Sequence, residues 1–207
     1  MNILPKYAGL ALESSQEASA KEIPGLTYLP KYLNLDEQTE LLDNVKQQTW
    51  SIVTNRRIQL YGYKYEYKNG LLVSSSYLGT LPNWLNNITS RLSRESIATT
   101  VFDQVIVNEY QPGQGIAGHI DSAHCFGNTI ASLSLGSSCV MEFTHSQTQE
   151  KADIKLEPGG LLVLQGEARY LWKHGIAACK FDNYLGNKFA RQERISLTFR
   201  EVLFPYK

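Results

Sequence analysis

From about residue 100 onward the chain is a succession of short apolar runs, each closed by Gly, Pro, Asn or Asp. Val101–Val107, Ile130–Leu135, Cys139–Phe143, Leu161–Leu164 and Ile195–Phe199 are too short for ordinary helices, and several alternate apolar with polar side chains. That period of two is the signature of strands half buried in a sheet. Many short strands with no helix-length periodicity between them predict a sandwich or jelly roll.

The first hundred residues read differently. Ile23-Pro24-Gly25-Leu26 predicts a short strand leading into a helix that Asn34 or Asp36 could cap, with Leu41, Leu42 and Val45 on its buried face. Leu81-Pro82 opens a second helix, in which Trp84, Leu85, Ile88 and Leu92 recur at helical spacing. Residues 1–22 are rich in Ser, Ala, Glu and Lys and are expected to form a flexible extension. Residues 23–207 are then one α+β domain, with N-terminal helices packed on one sheet of a strand-rich core. At 207 residues the chain is long enough to bury a core without staples. No apolar run approaches the roughly 18 residues that span a bilayer, and the acidic start does not read as a signal peptide. Three cysteines without CxxC spacing indicate neither a disulfide framework nor a zinc ribbon. A reducing cytoplasmic setting fits, or a nuclear one in a eukaryote. Twenty basic and twenty acidic residues give a formal net charge of zero, so any nucleic-acid footprint must be local.

The segment from Asn108 to Asp121 carries the chemistry. In a strand His119 and Asp121 would project to one face, offering two corners of a metal site. A histidine from a distant strand would complete a 2-His-1-carboxylate set with open positions, the arrangement of non-haem Fe(II) oxygenases. Of the four histidines, His124 lies too near in sequence to come from another strand, and His145 falls at a polar, loop-like position. His174, in the apolar Leu171–Ile176 stretch, is the choice. A lone His-x-Asp pair is more often a surface turn. The tail changes the balance: alternation in Arg194–Arg200 puts Arg194, Ser196, Thr198 and Arg200 on one side and Ile195, Leu197 and Phe199 on the other. Arginines facing into a barrel need anionic partners, and a dicarboxylate suits their planar two-bond geometry. Taken alone, pairing with surface acids would explain them equally well.

The order Asn-x-Tyr-x-x-Gly, His-x-Asp, a later His and Arg-x-x-x-x-x-Arg resembles the AlkB family of Fe(II)- and 2-oxoglutarate-dependent dioxygenases over about residues 26–203. The resemblance implies a double-stranded β-helix with His119, Asp121 and His174 as iron ligands. It implies that Arg194 takes the distal carboxylate of 2-oxoglutarate, assisted by Tyr110 and Ser196, with Asn108 and Arg200 near the metal-chelating end. The family often has Asn where this chain has Ser196. The implied reaction consumes O2, converts 2-oxoglutarate to succinate and oxidises a substrate C–H bond. At an N-methyl group the product would shed formaldehyde, giving demethylation.

For the substrate, the Arg56–Tyr67 tract lies where relatives place a nucleotide-recognition lid. Arg56, Arg57, Tyr61 and Tyr63 are candidate contacts to phosphates and a stacked base; core packing on a strand is the competing reading of each tyrosine. Gly166–Trp172, which supplies Arg169 as a further candidate, resembles the branch that hydroxylates modified wobble uridines in tRNA, as do Asn108–Asp121 and Ser132–Gly136. Dealkylation of N-methylated bases in DNA or RNA is the first expectation and wobble-uridine hydroxylation the second. Oxidation of a protein side chain is a third. No membrane and no obligate protein partner is indicated.

Overall fold

The asymmetry between the two halves of the sequence reappears as layers. The computed structural model describes residues 22–53, 56–64 and 76–203; the extension expected over 1–22 thus lies, except for Glu22, outside the described residues, as do Tyr65 and Tyr67. The elements in order are β1 (Leu26–Leu29), α1 (Leu35–Lys46), β2 (Ser51–Val53), β3 (Arg56–Tyr61), α2 (Asn83–Arg94), β4 (Gln104–Tyr110), β5 (Ile116–His119), β6 (Phe126–Gly136), β7 (Cys139–His145), β8 (Lys151–Leu156), β9 (Leu161–Leu164), α3 (Gly166–Tyr170), β10 (Trp172–Ile176), β11 (Phe181–Tyr184), β12 (Asn187–Ala190) and β13 (Arg194–Val202). A larger sheet has the strand order β1-β9-β6-β13-β4-β3-β2, a smaller one β5-β10-β7-β8, and β11 and β12 form a separate hairpin. All named strand pairs are antiparallel. This is the double-stranded β-helix expected from the sequence.

Both predicted helices form, and the cap falls on Asn34. Its side chain accepts from Glu37 N while Glu37 reaches back to Asn34 N, a reciprocal capping box. The helices cover the outer face of the larger sheet. Leu41, Val45, Leu85 and Leu92 meet Val105, Val107, Leu133, Leu135, Ile195, Leu197 and Phe199 in one cluster. The inner face meets the smaller sheet in a second cluster, where Phe126, Ile130, Leu162 and Leu164 face Met141, Phe143, Trp172 and Ile176. Each central strand therefore buries both faces, which is why its sequence reads as a nearly continuous apolar run.

Two sequence boundaries shift. Val101 is 78% exposed and precedes the strand, because Asp103 turns aside to accept from Val202 N and β4 starts only at Gln104. His145 is not in a loop: it is the buried last residue of β7, and its Nδ1 accepts from Gln147 N and Thr148 N to close the following turn. Among the described residues no helix is long and apolar enough to cross a membrane.

Candidate metal and co-substrate site

Strand pairing assembles the three residues expected to bind metal. β5 and β10 are neighbours in register, with His119 opposite His174, so both imidazoles point to the face that looks across at the larger sheet. Their ring centroids are 4.5 Å apart. Asp121 follows two residues after His119, and one ligand atom from each of the three lies within 4.8 Å of the others. Glycine permits this approach. A Cβ on Gly175 would stand 2.8 Å from Gly118 N, so a larger residue would push the two histidine strands apart.

Hydrogen bonding leaves the set fit for a metal. His119 Nδ1 lies 2.9 Å from the Ala117 carbonyl, which fixes the ring and leaves Nε2 as the donor atom. His174 Nε2 lies 3.9 Å from Asp121 Oδ2, an oxygen that is buried and accepts no hydrogen bond. Burial pushes the His174 pKa down to about 4 despite the attraction of Asp121, so the imidazole is neutral at pH 7, as a ligand must be. Burial would raise the Asp121 pKa, but the charge of Arg200, with help from the histidines, holds it below its ordinary value. Arg200 Nη2 stands 2.6 Å from Asp121 Oδ1. One carboxylate oxygen is thus gripped and the other left bare, beside two imidazole nitrogens.

The pocket beyond these groups is walled by the inner face of the larger sheet. Arg56 comes from β3, Asn108 and Tyr110 from β4, Ser132 from β6, and Arg194, Ser196, Thr198 and Arg200 from β13. The alternation read in the tail is therefore the real one, with Ile195, Leu197 and Phe199 in the helix-side core. Arg194 is 3% exposed; Nη2 donates to Ser134 Oγ at 2.8 Å, whereas Nε and Nη1 have no partner. A buried guanidinium with donors to spare calls for an anionic partner such as a carboxylate. The ring of Tyr110 lies between the guanidinium carbons of Arg56 and Arg194, 5.3 and 5.5 Å from its centroid.

The expected substrate contacts fare unevenly. Arg56 does enter the pocket, where Nε donates to Asn108 Oδ1 at 3.1 Å and Nη1 to the Gly115 carbonyl at 3.3 Å. Arg57, its neighbour on the strand, must face the other way; it pairs with Glu109 and lies over Trp50. Tyr61 also faces the helices, edge-on to Trp84, and donates to Gln59. Tyr63 packs against Tyr77 outside the pocket wall. Arg169 is no surface contact at all: it is 2% exposed and gives its donors to main-chain carbonyls. Sequence reasoning missed Ser134 and Gln104, the partners of Arg194 and Arg200. The Ser132–Leu135 alternation carried a signal for the first, since Ser134 is register partner to Ser196.

Fold and site together define a 2-oxoglutarate-dependent Fe(II) oxygenase, and residues 25–200 match the 2OG-Fe(II) oxygenase superfamily. The protein L905 of Acanthamoeba polyphaga mimivirus is 35% identical, over 89% of this chain and 88% of that one. The tRNA (carboxymethyluridine(34)-5-O)-methyltransferase ALKBH8 of Macaca fascicularis is also 35% identical; the match takes in 84% of this chain but 28% of that protein's length. The probable RNA/DNA demethylase ALKBH6 of Danio rerio is 26% identical over 86% of both chains. The solved structure of OsALKBH1 superposes with a TM-score of 0.66 at 18% identity, covering 87% of this chain and 98% of that one. The chain belongs to the AlkB family of Fe(II)- and 2-oxoglutarate-dependent dioxygenases. Its cofactor is Fe(II), and its co-substrates are 2-oxoglutarate and O2.

Proposed function

We propose that residues 23–207 form a dioxygenase domain that oxidatively dealkylates N-methylated bases in DNA or RNA. The observation that carries the nucleic-acid reading is the match to ALKBH6, which covers 86% of that protein's length; that relative is named a probable RNA/DNA demethylase. A second reading, oxidation of a modified wobble uridine in tRNA, is favoured by the higher identity to ALKBH8, whose name specifies that nucleoside. The chain corresponds to little more than a quarter of that protein. A cytoplasmic setting accompanies the proposal, supported by three free cysteines.

In this reading His119, Asp121 and His174 hold the iron, which when bound supplies the redox chemistry linking O2, 2-oxoglutarate and the substrate C–H bond. Arg194 receives the distal carboxylate of 2-oxoglutarate through its guanidinium, which Ser134 anchors at Nη2. Tyr110 and Ser196 line the same end, and Asn108 and Arg200 the metal end. Arg200 orients Asp121 and keeps it ionised. Arg56 fastens Asn108 and Gly115 across the pocket, joining the substrate side to the co-substrate side. An N-methyl group hydroxylated here becomes a hemiaminal that loses formaldehyde in water, so the site needs no general base.

The deciding experiment is anaerobic reconstitution with Fe(II) and 2-oxoglutarate, then admission of O2 and mass spectrometry of methylated oligonucleotides and tRNAs. Loss of methyl groups with matching succinate is the expected result. Gain of one oxygen on a wobble uridine would instead establish the second reading. Succinate with every nucleic acid unchanged would overturn both and direct the search to protein side chains.

A further inference from the structure

Arg169 heads the largest fully buried side chains of the described residues, yet no carboxylate lies in ion-pair contact with it. Its guanidinium gathers main-chain carbonyls instead. Nη1 donates to Asp121 O at 2.7 Å, Nη2 to Ser122 O at 3.3 Å and Phe126 O at 3.2 Å, and Nε to Gly127 O at 3.2 Å. Asp121 and Ser122 lie in the connection that leaves β5, and Phe126 and Gly127 are the first two residues of β6. The connection is also tied to itself, since Cys125 N and Phe126 N both donate to Ser122 O. Burial pushes the Arg169 pKa down, against the attraction of the Asp121 charge, so keeping this cation inside has a cost.

Arg169 sits in α3, which runs directly into β10 and His174. The segment that carries the second histidine therefore also grips the main chain of Asp121, whose carboxylate Arg200 holds. We infer that Arg169 is a positioning residue for the metal centre: it locks the Asp121 backbone to the lead-in of β10, while Arg200 orients the Asp121 carboxylate. The inference rests on the proposal that His119, Asp121 and His174 hold the metal. Only a planar fork with donors on all three nitrogens can meet four carbonyls spread from Asp121 into the start of β6; a lysine brings three donors on one point.

The test uses the full chain and Co(II), whose visible absorption reports ligand geometry without turnover. Arg169→Met is expected to keep its near-UV circular dichroism, to bind Co(II) about 10–100-fold more weakly and to show an altered band shape. The rise in thermal midpoint on adding Co(II) should shrink with it. Arg169→Lys, which retains the charge, guards against a Met variant that does not fold, and should show a smaller loss in the same direction. Unchanged Co(II) affinity and spectrum in a folded variant, even one with a lower metal-free midpoint, would reduce Arg169 to a structural residue and overturn the inference. A different failure is separable: parent protein that binds no Co(II), or Asp121→Ala that binds it normally, would remove the metal-ligand proposal itself.

Discussion

A buried guanidinium with two unpartnered nitrogens, as in Arg194, costs free energy that an anion recovers. Each charge-assisted bond is worth about 1.5–3 kcal/mol, so Arg194→Ala should raise the 2-oxoglutarate concentration for half-maximal turnover by at least about tenfold, measured by succinate formation. An unchanged requirement would place the co-substrate elsewhere. Arg56 makes a subtler case. It was expected to serve the nucleic acid alone, but its bonds to Asn108 and Gly115 tie it to the co-substrate pocket. Arg56→Ala should therefore impair 2-oxoglutarate use even without substrate present; intact uncoupled decarboxylation would restrict Arg56 to substrate binding. Parity along β3 already implied that Arg56 and Arg57 could not share a pocket. Which of the two looks inward depends on pairing Ile58 with Asn108, a register fixed by tertiary packing. Arg169 was illegible for a similar reason, because its partners are main-chain carbonyls more than forty positions away that bear no side-chain signal.

At the scale of elements, strands with an internal rule were the readable ones. Arg194–Arg200 of β13 alternates strictly, and its inward and outward assignments follow from the sequence. β5 is four residues long and has no such pattern, yet it positions His119 by lying against β10. The contact works through glycine backbones, and sequence shows glycine without showing what approaches it. Gly175→Ala would drive a methyl into the backbone of Gly118; a cost of about 1–3 kcal/mol is expected, together with weaker metal binding as His119 and His174 separate. Calorimetric titration with Mn(II) beside a thermal melt checks this, and normal metal affinity in the variant would show that β5 tolerates displacement. β3 ends at Tyr61, and Gly62 turns with a φ of +77° against the Asp103 carbonyl.

For the whole molecule, equal numbers of acids and bases conceal an uneven distribution. On the helix side of the larger sheet, Glu109 is held below its ordinary pKa of 4.5 chiefly by the hydrogen bond from Arg57, against the cost of burial. A folded-state pKa below the unfolded one adds stability above about pH 4.5 and loses it as pH falls through the folded value. The half-exposed Arg57 keeps the effect modest. Glu109→Gln should accordingly be less stable than the parent at pH 7 and decline less steeply between about pH 5 and 3; parallel melting curves would deny the pair its role. The pocket has the opposite sign. Its wall presents three guanidinium groups, from Arg56, Arg194 and Arg200, against the single carboxylate of Asp121. Such a chamber selects for charge before it selects for identity, so on the proposed role of Arg194 the succinate left after each turnover would meet the same guanidinium groups as 2-oxoglutarate. The enzyme would then respond to the ratio of the two acids, slowing as succinate accumulates even when 2-oxoglutarate is plentiful.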